Sequence, residues 1–377
     1  MKVLILGGGA IGLSCAYYLA RAGTAVVVVD RGELGQEASW AGAGMITAHS
    51  LRRAHTPIGR LKARGAAVFP ELSAELRELT GVDNGYLRCG ALELRCSAEV
   101  LARRQAELQE DDESESGHAG QVLSATELRA VEPALHPDLP GAIRYAEAAQ
   151  VRNPWHLRAL VAGCQRLGVD LRPGQAVLAI RRTGQRITEV TTSAGPLAAD
   201  CVLVCAGAWS GELLAGLGVH LPVKPIRGQI VLLRATPDLL RHLLLAGPRY
   251  LVPRSDGRVL VGSTEEDVGF DKNTTASAVR DLIHLAVGYV PALANCPVER
   301  CWAGLRPGSA DGKPVLGGVP GLENLFVAAG HFRSGLQLSA ITGILMTQLL
   351  LGEQPELDLT PFRLDRFDVS DCSSRRC

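Results

Sequence analysis

The stretch MKVLILGGGAIGLSCAYYLARAGTAVVVVD, residues 1–30, decides the fold. Residues 3–6 are an apolar, strand-like run that passes directly into glycines, and Gly7, Gly9 and Gly12 match the pattern GxGxxG. In this pattern the first glycine permits a tight turn, the second lets the backbone approach a pyrophosphate, and the third lets a helix pack on the strand. The sequence therefore predicts a strand, a phosphate-binding turn and a helix whose N-terminus faces the phosphates.

A second apolar strand, TAVVVVD, follows this helix, which we predict from about Ile11 to Ala22 with Gly23 at its end. The strand closes on Asp30, and an acidic side chain there can accept hydrogen bonds from both hydroxyls of a ribose. A lone GxGxxG can be no more than a tight turn. Strand, turn, amphipathic helix, strand and terminal acid in one short unit indicate a dinucleotide site.

The composition limits the partners of the protein. The chain has 377 residues, which predicts about two domains, and 39 Lys and Arg residues balance 39 Asp and Glu residues. Without net charge there is no electrostatic case for nucleic acid or an anionic membrane surface, so a small-molecule partner is expected. The ten cysteines are scattered without CxxC or a metal-ligand spacing, which indicates free thiols in a reducing compartment and a cytoplasmic protein. No apolar run is long enough to predict a membrane span.

Two further segments indicate close contact with a ligand. Residues 35–49, GQEASWAGAGMITAH, are rich in small residues and directly follow the second strand. The buried strand predicted at 201–205 ends in AGAWS, where Gly207 predicts a second close backbone approach. This strand would join the same parallel sheet near the first phosphate turn.

The hydrophobic period changes along the rest of the chain. Helices are predicted at 60–80 and 98–110, an exposed acidic loop at 110–120, and alternating antiparallel strands through 222–305. The predicted fold is therefore α/β: a Rossmann-type, doubly wound parallel sheet with an inserted α+β substrate domain built on an antiparallel sheet. The predicted boundaries are 1–84, 150–221 and 306–366 for the dinucleotide-binding domain, 85–149 and 222–305 for the substrate domain, and 367–377 for a flexible tail.

Several motifs occur together, namely GGGAIG with Asp30, ASWAGAGM, AGAWS, RYLVPRSDGRVLVGST, WAGLRPGSADGKPVLG and AAGHFRSG. In this order, from Met1 to about Asp365, the chain resembles the FAD-dependent amine oxidases of the D-amino acid oxidase type, most closely the glycine oxidases of thiamine biosynthesis. The resemblance implies FAD as the cofactor. It also implies noncovalent binding, because PGSADGKPVLGG lacks the cysteine that attaches the flavin in monomeric sarcosine oxidases.

The resemblance also implies which residues contact FAD. Residues 330–337 would lie beside the flavin ring, and a final helix, predicted from Leu336 to Leu351, would point its positive N-terminal end at the flavin. An ordinary helix cap with a solvated Arg333 is the alternative. The implied cofactor-binding residues are Gly7, Gly9, Ala10, Ile11, Gly12, Asp30, Arg31, Ala38, Ser39, Ala43, Gly44, Met45, Val177, Gly207, Gly330, His331, Phe332, Arg333, Ser334, Gly335, Leu336 and Gln337.

For the substrate, the resemblance implies that Arg306 grips a carboxylate through two parallel hydrogen bonds and that Tyr250 adds a hydroxyl to the same group. Arg333 would border the site and hold substrate or backbone. Taken alone, a Tyr on an alternating strand is usually packing, and an Arg in a turn is usually solvated. No catalytic acid or base is predicted: His331 is expected to be structural, and the acidic pair at 265–266 is expected in a solvated loop.

The implied reaction is oxidative deamination of glycine or another small amine, with hydride transfer to FAD. The imine would be hydrolysed to glyoxylate and ammonia or would supply thiazole synthesis, and oxygen would become hydrogen peroxide. Relatives of this kind are often homotetramers. Pro248 stands where some glycine oxidases carry His, which leaves the preference among glycine, sarcosine and small D-amino acids open. The alternatives within the same fold are a D-amino acid oxidase, a D-amino acid dehydrogenase that reduces a quinone, and a sarcosine oxidase-like enzyme. The non-enzyme alternative is an NAD-binding regulatory module.

Overall fold

A computed structural model describes residues 1–47, 54–94, 97–110 and 120–367 of the chain. In these ranges the strands are β1 Lys2–Leu6, β2 Ala25–Val29, β3 Met45–Ile46, β4 Ala91–Glu93, β5 Gln121–Ser124, β6 Gly141–Tyr145, β7 Ala149–Gln150, β8 Asp170–Arg172, β9 Val177–Thr183, β10 Arg186–Thr192, β11 Gly195–Leu197, β12 Cys201–Val204, β13 Val223–Arg234, β14 Leu243–Ala246, β15 Arg249–Pro253, β16 Arg258–Gly262, β17 Val298–Ser309, β18 Val315–Gly318 and β19 Leu325–Ala329. The helices are α1 Ala10–Arg21, α2 Glu37–Ala41, α3 Pro57–Thr80, α4 Ala98–Glu110, α5 Ala125–Val131, α6 Asn153–Arg166, α7 Ser210–Ala215, α8 Ala276–Tyr289 and α9 Gly335–Leu350. The predicted acidic loop and C-terminal tail fall almost entirely outside the described residues.

The N-terminal strand lies inside a six-stranded sheet with the order β18-β19-β12-β1-β2-β8. Val3 pairs in parallel with Cys201 on one side and with Val26 on the other, and only β18 runs antiparallel to its neighbour. The predicted parallel sheet, including the strand at 201–205, is confirmed. Its central strands read as continuous apolar runs because both faces of the sheet are covered.

The two faces of the parallel sheet have different covers. Val3 and Ile5 point into a core that residues of α1, α3, α6 and α9 complete. Leu4 and Leu6 point the other way, toward residues of α7 and of a three-stranded antiparallel sheet, β11-β10-β9. This small sheet makes the crossover from β8 to β12, where a doubly wound fold commonly places a helix.

Helix α9 is largely buried and packs against two other helices. It lies against α1, where a Cβ on Gly343 would come within 2.8 Å of the Ser14 carbonyl oxygen. It also lies against α3, where a Cβ on Gly65 would come within 2.7 Å of the Gln337 carbonyl oxygen. These close backbone approaches fix the first turn of α9 at the carboxyl edge of the parallel sheet.

The second large sheet has eight strands in the order β17-β13-β16-β15-β14-β4-β6-β5. Its pairs are antiparallel except for β14 with β4, and β13 pairs with β17 from Val223 with Ser309 to Leu233 with Val298. The prediction of alternating antiparallel strands is confirmed. Helix α8, which covers one face of this sheet, was not predicted.

Helix α8 has local signals in the sequence. The Thr275 hydroxyl accepts a hydrogen bond from Ala278 N and so caps its first turn. Ala278, Leu282 and Ala286 recur at helical spacing and are buried against the sheet. The helical period of these buried residues could therefore have been recognised in the sequence, between the segments with the alternating pattern of strands.

The eight-stranded sheet takes its strands from residues 91–145 and 223–309. These stretches nearly coincide with those assigned to the substrate domain, but β17 runs past residue 305 to Ser309. The division into two domains with the boundaries given above stays a prediction.

Candidate active site

A cavity of 470 Å³ lies between the carboxyl ends of the parallel strands and one face of the eight-stranded sheet. Ligands of open α/β sheets bind at this edge. The predicted site residues that line the cavity are Gly7, Gly9, Ala10, Ile11, Asp30, Arg31, Ala38, Ser39, Ala43, Gly44, Met45, Val177, Gly207, Tyr250, Arg306, His331, Phe332, Arg333, Gly335, Leu336 and Gln337. Gly12, Gly330 and Ser334 are not part of its wall.

The glycine turn after β1 presents bare backbone to the cavity. Gly7 has a φ of 115°, and a Cβ on Gly12 would come closer than 3.0 Å to the Gly7 carbonyl oxygen. Gly12 therefore lies behind the wall and lets α1 approach the turn. Ala10 N donates to Ser39 Oγ at 2.9 Å, which ties the following loop to the start of the helix. The turn and the helix N-terminus suit a pyrophosphate.

Asp30 holds the same turn from the end of β2. Its Oδ2 accepts from Gly8 N at 2.7 Å, and its Oδ1 accepts from Gly32 N at 2.9 Å. A carboxylate oxygen can accept more than one hydrogen bond, so both oxygens retain capacity for ribose hydroxyls. The sequence predicted the ribose contact but not the bond to Gly8.

The small-residue stretch after β2 is held by other parts of the chain, with residues 48 and 49 outside the described ranges. Gly44 has a φ of 76°, and a Cβ there would collide with the Val151 carbonyl oxygen. Asn153 Nδ2 donates to Ser39 O at 2.7 Å, and Trp302 Nε1 donates to Ala41 O at 3.0 Å. These contacts hold the segment at the cavity wall, which supports the predicted close contact of this segment with a ligand.

Gly207 differs from the close approach that was predicted for it. Its φ is 55°, a conformation that favours glycine, but no atom of the protein lies within 4 Å of the position of a Cβ. The backbone requirement of the turn therefore explains this glycine, and its free side faces the cavity.

Arg306 lies on β17 at the end of the cavity away from the glycine turn. Its Nη1 donates to Thr264 O at 3.1 Å, and its Nη2 donates to Ser263 Oγ. Burial lowers the pKa of this guanidinium, and the nearby Tyr250 hydroxyl partly offsets that shift. Both acceptors are uncharged oxygens, and no ion-pair partner of Arg306 is found among the described residues.

Two glycines make room for the predicted substrate-binding side chains. A Cβ on Gly228 of β13 would lie closer than 3.0 Å to the Arg306 guanidinium. A Cβ on Gly262 of β16 would lie 2.6 Å from the Tyr250 hydroxyl. The Arg306 guanidinium and the Tyr250 hydroxyl thus each lie directly over a glycine of a neighbouring strand. The sequence did not reveal this arrangement.

Arg333 lies at the exposed rim of the cavity. Its Nη2 donates to Pro248 O at 2.6 Å, and its Nη1 lies 3.4 Å from Glu265 Oε2. The guanidinium therefore holds backbone, one of the two roles that were expected for it. Its neighbour Phe332 has a φ of 47°, which a bulky side chain rarely adopts. Such strain persists only where the surroundings fix the turn.

His331 is buried beside the cavity. Its Nε2 lies 3.0 Å from Thr342 Oγ1 of α9, and burial lowers the pKa of the imidazole to about 3. The ring is therefore neutral near pH 7. This geometry supports the predicted structural role.

The expected solvated loop at 265–266 is wrong for Glu266. Its carboxylate accepts from the buried Arg227 guanidinium and from Gln229 Nε2 at 2.8 Å. Burial raises the pKa of Glu266, but hydrogen bonds from the Thr264 side chain, from Arg227 and from Gln229 together bring this pKa below its usual range. Sequence reasoning placed Arg227 on an alternating strand but could not show that it points inward.

The sequence did not indicate the role of a second, partly buried arginine. Arg254, which follows β15, donates to Gln150 Oε1, to Val151 O at 3.0 Å and to Ala43 O at 2.8 Å. Burial lowers its pKa to about 10. The guanidinium thereby ties the eight-stranded sheet to the small-residue segment of the cavity wall.

The donor set of this wall fits FAD. Bare glycine backbone and a helix N-terminus suit its pyrophosphate, Asp30 suits a ribose, and the cavity continues from there to Arg306. Throughout the described ranges, no three His, Cys, Asp or Glu side chains are grouped as metal ligands. In those same ranges no helix has both the length and the apolar composition to cross a bilayer.

This fold and cavity are those of a protein that binds a nucleotide cofactor, with the Arg306 guanidinium at the cavity wall. The model of the family described as DAO, FAD dependent oxidoreductase, matches residues 2–349. The chain belongs to this FAD-dependent family, and FAD is its cofactor.

Individual relatives extend this result. The glycine oxidase of Pseudomonas putida is 40% identical over 367 residues, covering 96% of this chain and 97% of the relative. The crystal structure of glycine oxidase from Geobacillus kaustophilus is similar with a TM-score of 0.90 and 34% identity, covering 97% and 99% of the two chains. A bifunctional ThiO/ThiG protein of Trichormus variabilis is 32% identical over 97% of this chain and 55% of its own length.

Proposed function

We propose that this protein is an FAD-dependent oxidase of glycine and other small amines that carry a carboxylate. The observation that carries the proposal is the partly buried Arg306 guanidinium, which faces the cavity with only neutral acceptors in the described chain. Removing a cation from water without a counter-ion is unfavourable, and burial lowers the pKa of this guanidinium, so a substrate carboxylate would compensate its charge. The similarity to glycine oxidases supports the same substrate class.

Arg306 and Tyr250 would bind and orient the substrate. The guanidinium fork can grip a carboxylate through two parallel hydrogen bonds, and the Tyr250 hydroxyl can add a third. This grip fixes the direction in which the Cα hydrogen points, so the contribution of the protein is mainly orientation. FAD, when bound, supplies the hydride acceptor and the route by which two electrons reach oxygen to give hydrogen peroxide.

The side chains at the site do not need to take a proton from the substrate. The substrate amine loses its proton before the hydride leaves Cα, and water or a second amine can accept it. His331 already shares its Nε2 with Thr342 and has a pKa lowered to about 3 by burial. The imine leaves the site and is hydrolysed to glyoxylate and ammonia.

The cofactor would be held without a covalent bond. Among the described cysteines, Cys205 reaches the cavity wall, and burial raises the pKa of its thiol well above the ordinary value. A thiol in this state is a poor nucleophile. Denaturation should therefore release free FAD into the supernatant.

The proposed cellular setting is the cytoplasm. The seven described cysteines are free thiols, which suits a reducing compartment and a cytoplasmic enzyme. Resemblance suggests a homotetramer, which light scattering on the purified protein can measure. The similarity to a ThiO/ThiG protein suggests that the imine supplies thiazole synthesis.

Oxygen consumption with glycine, measured in detergent-free solution together with peroxide, tests the proposed reaction. We expect oxygen uptake and peroxide in equal amounts. A yellow protein that glycine reduces but that forms no peroxide would be a dehydrogenase and would remove the oxidase assignment.

A further inference from the structure

We infer that the 267–272 loop, DVGFDK, is a clasp that retains FAD, with Phe270 and Lys272 as its two contact residues. The loop belongs to the segment between β16 and α8 and therefore comes from the eight-stranded sheet. Its contacts, however, reach residues on the dinucleotide side of the cavity. The inference rests on this cavity being the FAD site.

The first contact is an aromatic stack. The Phe270 ring stacks on the Trp209 ring with 5.2 Å between centroids and an interplanar angle of 23°. The Arg31 guanidinium also lies over the Trp209 ring, 3.8 Å from its centroid. Trp209 and Arg31 both line the cavity, whereas Phe270 approaches from outside it.

The second contact is an ion pair. Lys272 Nζ lies 3.0 Å from Glu37 Oε2. Glu37 opens α2, lines the cavity and also lies 3.6 Å from Arg31 Nη2. Two residues of the 267–272 loop thus reach adjoining parts of one cavity rim.

The base of the 267–272 loop is anchored to its own sheet. Asp267 pairs with Lys224, and Asp271 pairs with the buried Arg227 of β13. These anchors leave Phe270 between two fixed points. The ring is 40% exposed, so its position over Trp209 is not explained by core packing.

This arrangement explains why an exposed aromatic ring lies on a charged loop. FAD that leaves past Arg31 and Trp209 has to displace the residues that cover this rim. A Phe–Trp stack stabilises by more than the free energy of burying its apolar area. An exposed ion pair stabilises little and is screened by salt. The ring should therefore account for most of the retention.

The same segment also touches the proposed substrate clamp. Just before the 267–272 loop, Ser263 and Thr264 accept the hydrogen bonds of Arg306. Glu266, two residues after Thr264, is held by Arg227. One short segment therefore supports the substrate guanidinium at one end and the cofactor rim at the other.

The test measures FAD release from purified holoenzyme after dilution, followed by flavin fluorescence, and the FAD dissociation constant by ultrafiltration. Phe270→Ala is expected to release FAD about fivefold faster, the loss of one aromatic stack. Val268→Ala is the matched control, because Val268 lies on the same loop, is also 40% exposed and is an apolar residue without an aromatic ring. It is expected to behave as wild type.

Two further variants separate the two contacts. Phe270→Leu keeps an apolar side chain but has no ring. Its rate of FAD release should therefore show most of the increase that is expected for Phe270→Ala. Lys272→Gln should show a smaller increase that disappears at high salt, whereas the effect of Phe270→Ala should persist.

Equal release rates for Phe270→Ala and Val268→Ala would overturn the inference. If Phe270→Ala lowers the melting temperature of the apoprotein, the release rate of Phe270→Leu is used instead. FAD release from Phe270→Leu at the wild-type rate would also overturn the inference. Peroxide formation is scored separately. Faster FAD release in a protein that does not oxidise glycine leaves the clasp in place and removes the proposed reaction instead.

Discussion

The Arg306 guanidinium lies over Gly228 so closely that a single added methyl group would occupy its place. Gly228→Ala should therefore push the guanidinium aside, since it is the mobile end of a long side chain. We expect glycine affinity to fall about tenfold or more, the loss of an aligned charge-assisted contact, while FAD remains bound. Titration of the flavin absorbance with glycine under anaerobic conditions measures this change.

The matched control for this substitution is Gly288→Ala. Gly288 lies in α8, and no atom lies within 4 Å of the position that its Cβ would take. Alanine favours helix there, so folding and glycine affinity should be retained. Equal glycine affinity in both variants would show that Arg306 does not depend on the space above Gly228.

The Tyr250 hydroxyl is a second contributor that can be removed alone. Tyr250→Phe keeps the ring, which is 8% exposed and packed beside the cavity. A hydrogen bond to a charged group contributes about 1.5–3 kcal/mol, so glycine affinity should fall roughly tenfold or more. The melting temperature should change little. An unaltered affinity would return Tyr250 to a packing role.

The stability of the protein should fall in mild acid because of a buried imidazole. His156 is fully buried, lies 5.3 Å from the Phe69 ring between centroids and has a pKa lowered by burial to about 4. The unfolded chain binds this proton near pH 6.5, so the stability contribution is complete above that pH and is lost as the pH falls toward 4. The full effect is on the order of 3 kcal/mol.

Melting temperatures measured from pH 7.5 to 4 in wild type and in His156→Gln test this expectation. The variant should show a weaker dependence on pH across that window. His220→Gln, at an exposed position, is the control and should melt with the wild-type dependence. An identical slope in wild type and His156→Gln would contradict the assignment.

The parts of the fold that could be predicted are those encoded locally. The unit from β1 to Asp30 was readable because turn glycines, strand runs and helix period all lie within one short stretch. The C-terminal end of α3 followed from its apolar spacing and from Gly81, which takes a φ of 73° there, whereas the helix begins at Pro57, three residues before the predicted start. Helix α8 was missed because its helical period lies among alternating segments.

The candidate site was predictable as a set of residues but not as an arrangement. Motifs indicated Arg306 and Tyr250, yet no local pattern shows that Gly228 and Gly262 from other strands make room for them. The bonds of Glu266 to a buried arginine depend on which way β13 faces. Such contacts join residues that are distant in sequence, so they require the fold.

The central claim is that Arg306 anchors the carboxylate of a small amine in the FAD cavity. Anaerobic titration with glycine, followed by the loss of flavin absorbance, measures it directly in wild type and Arg306→Ala. Arg300→Ala is the control, because Arg300 lies on the same strand but is exposed and packs over Trp40.

We expect Arg306→Ala to retain FAD and to bind glycine about 100-fold more weakly or worse, with Arg300→Ala unchanged. Glycine affinity that is the same in Arg306→Ala and in wild type would contradict the account.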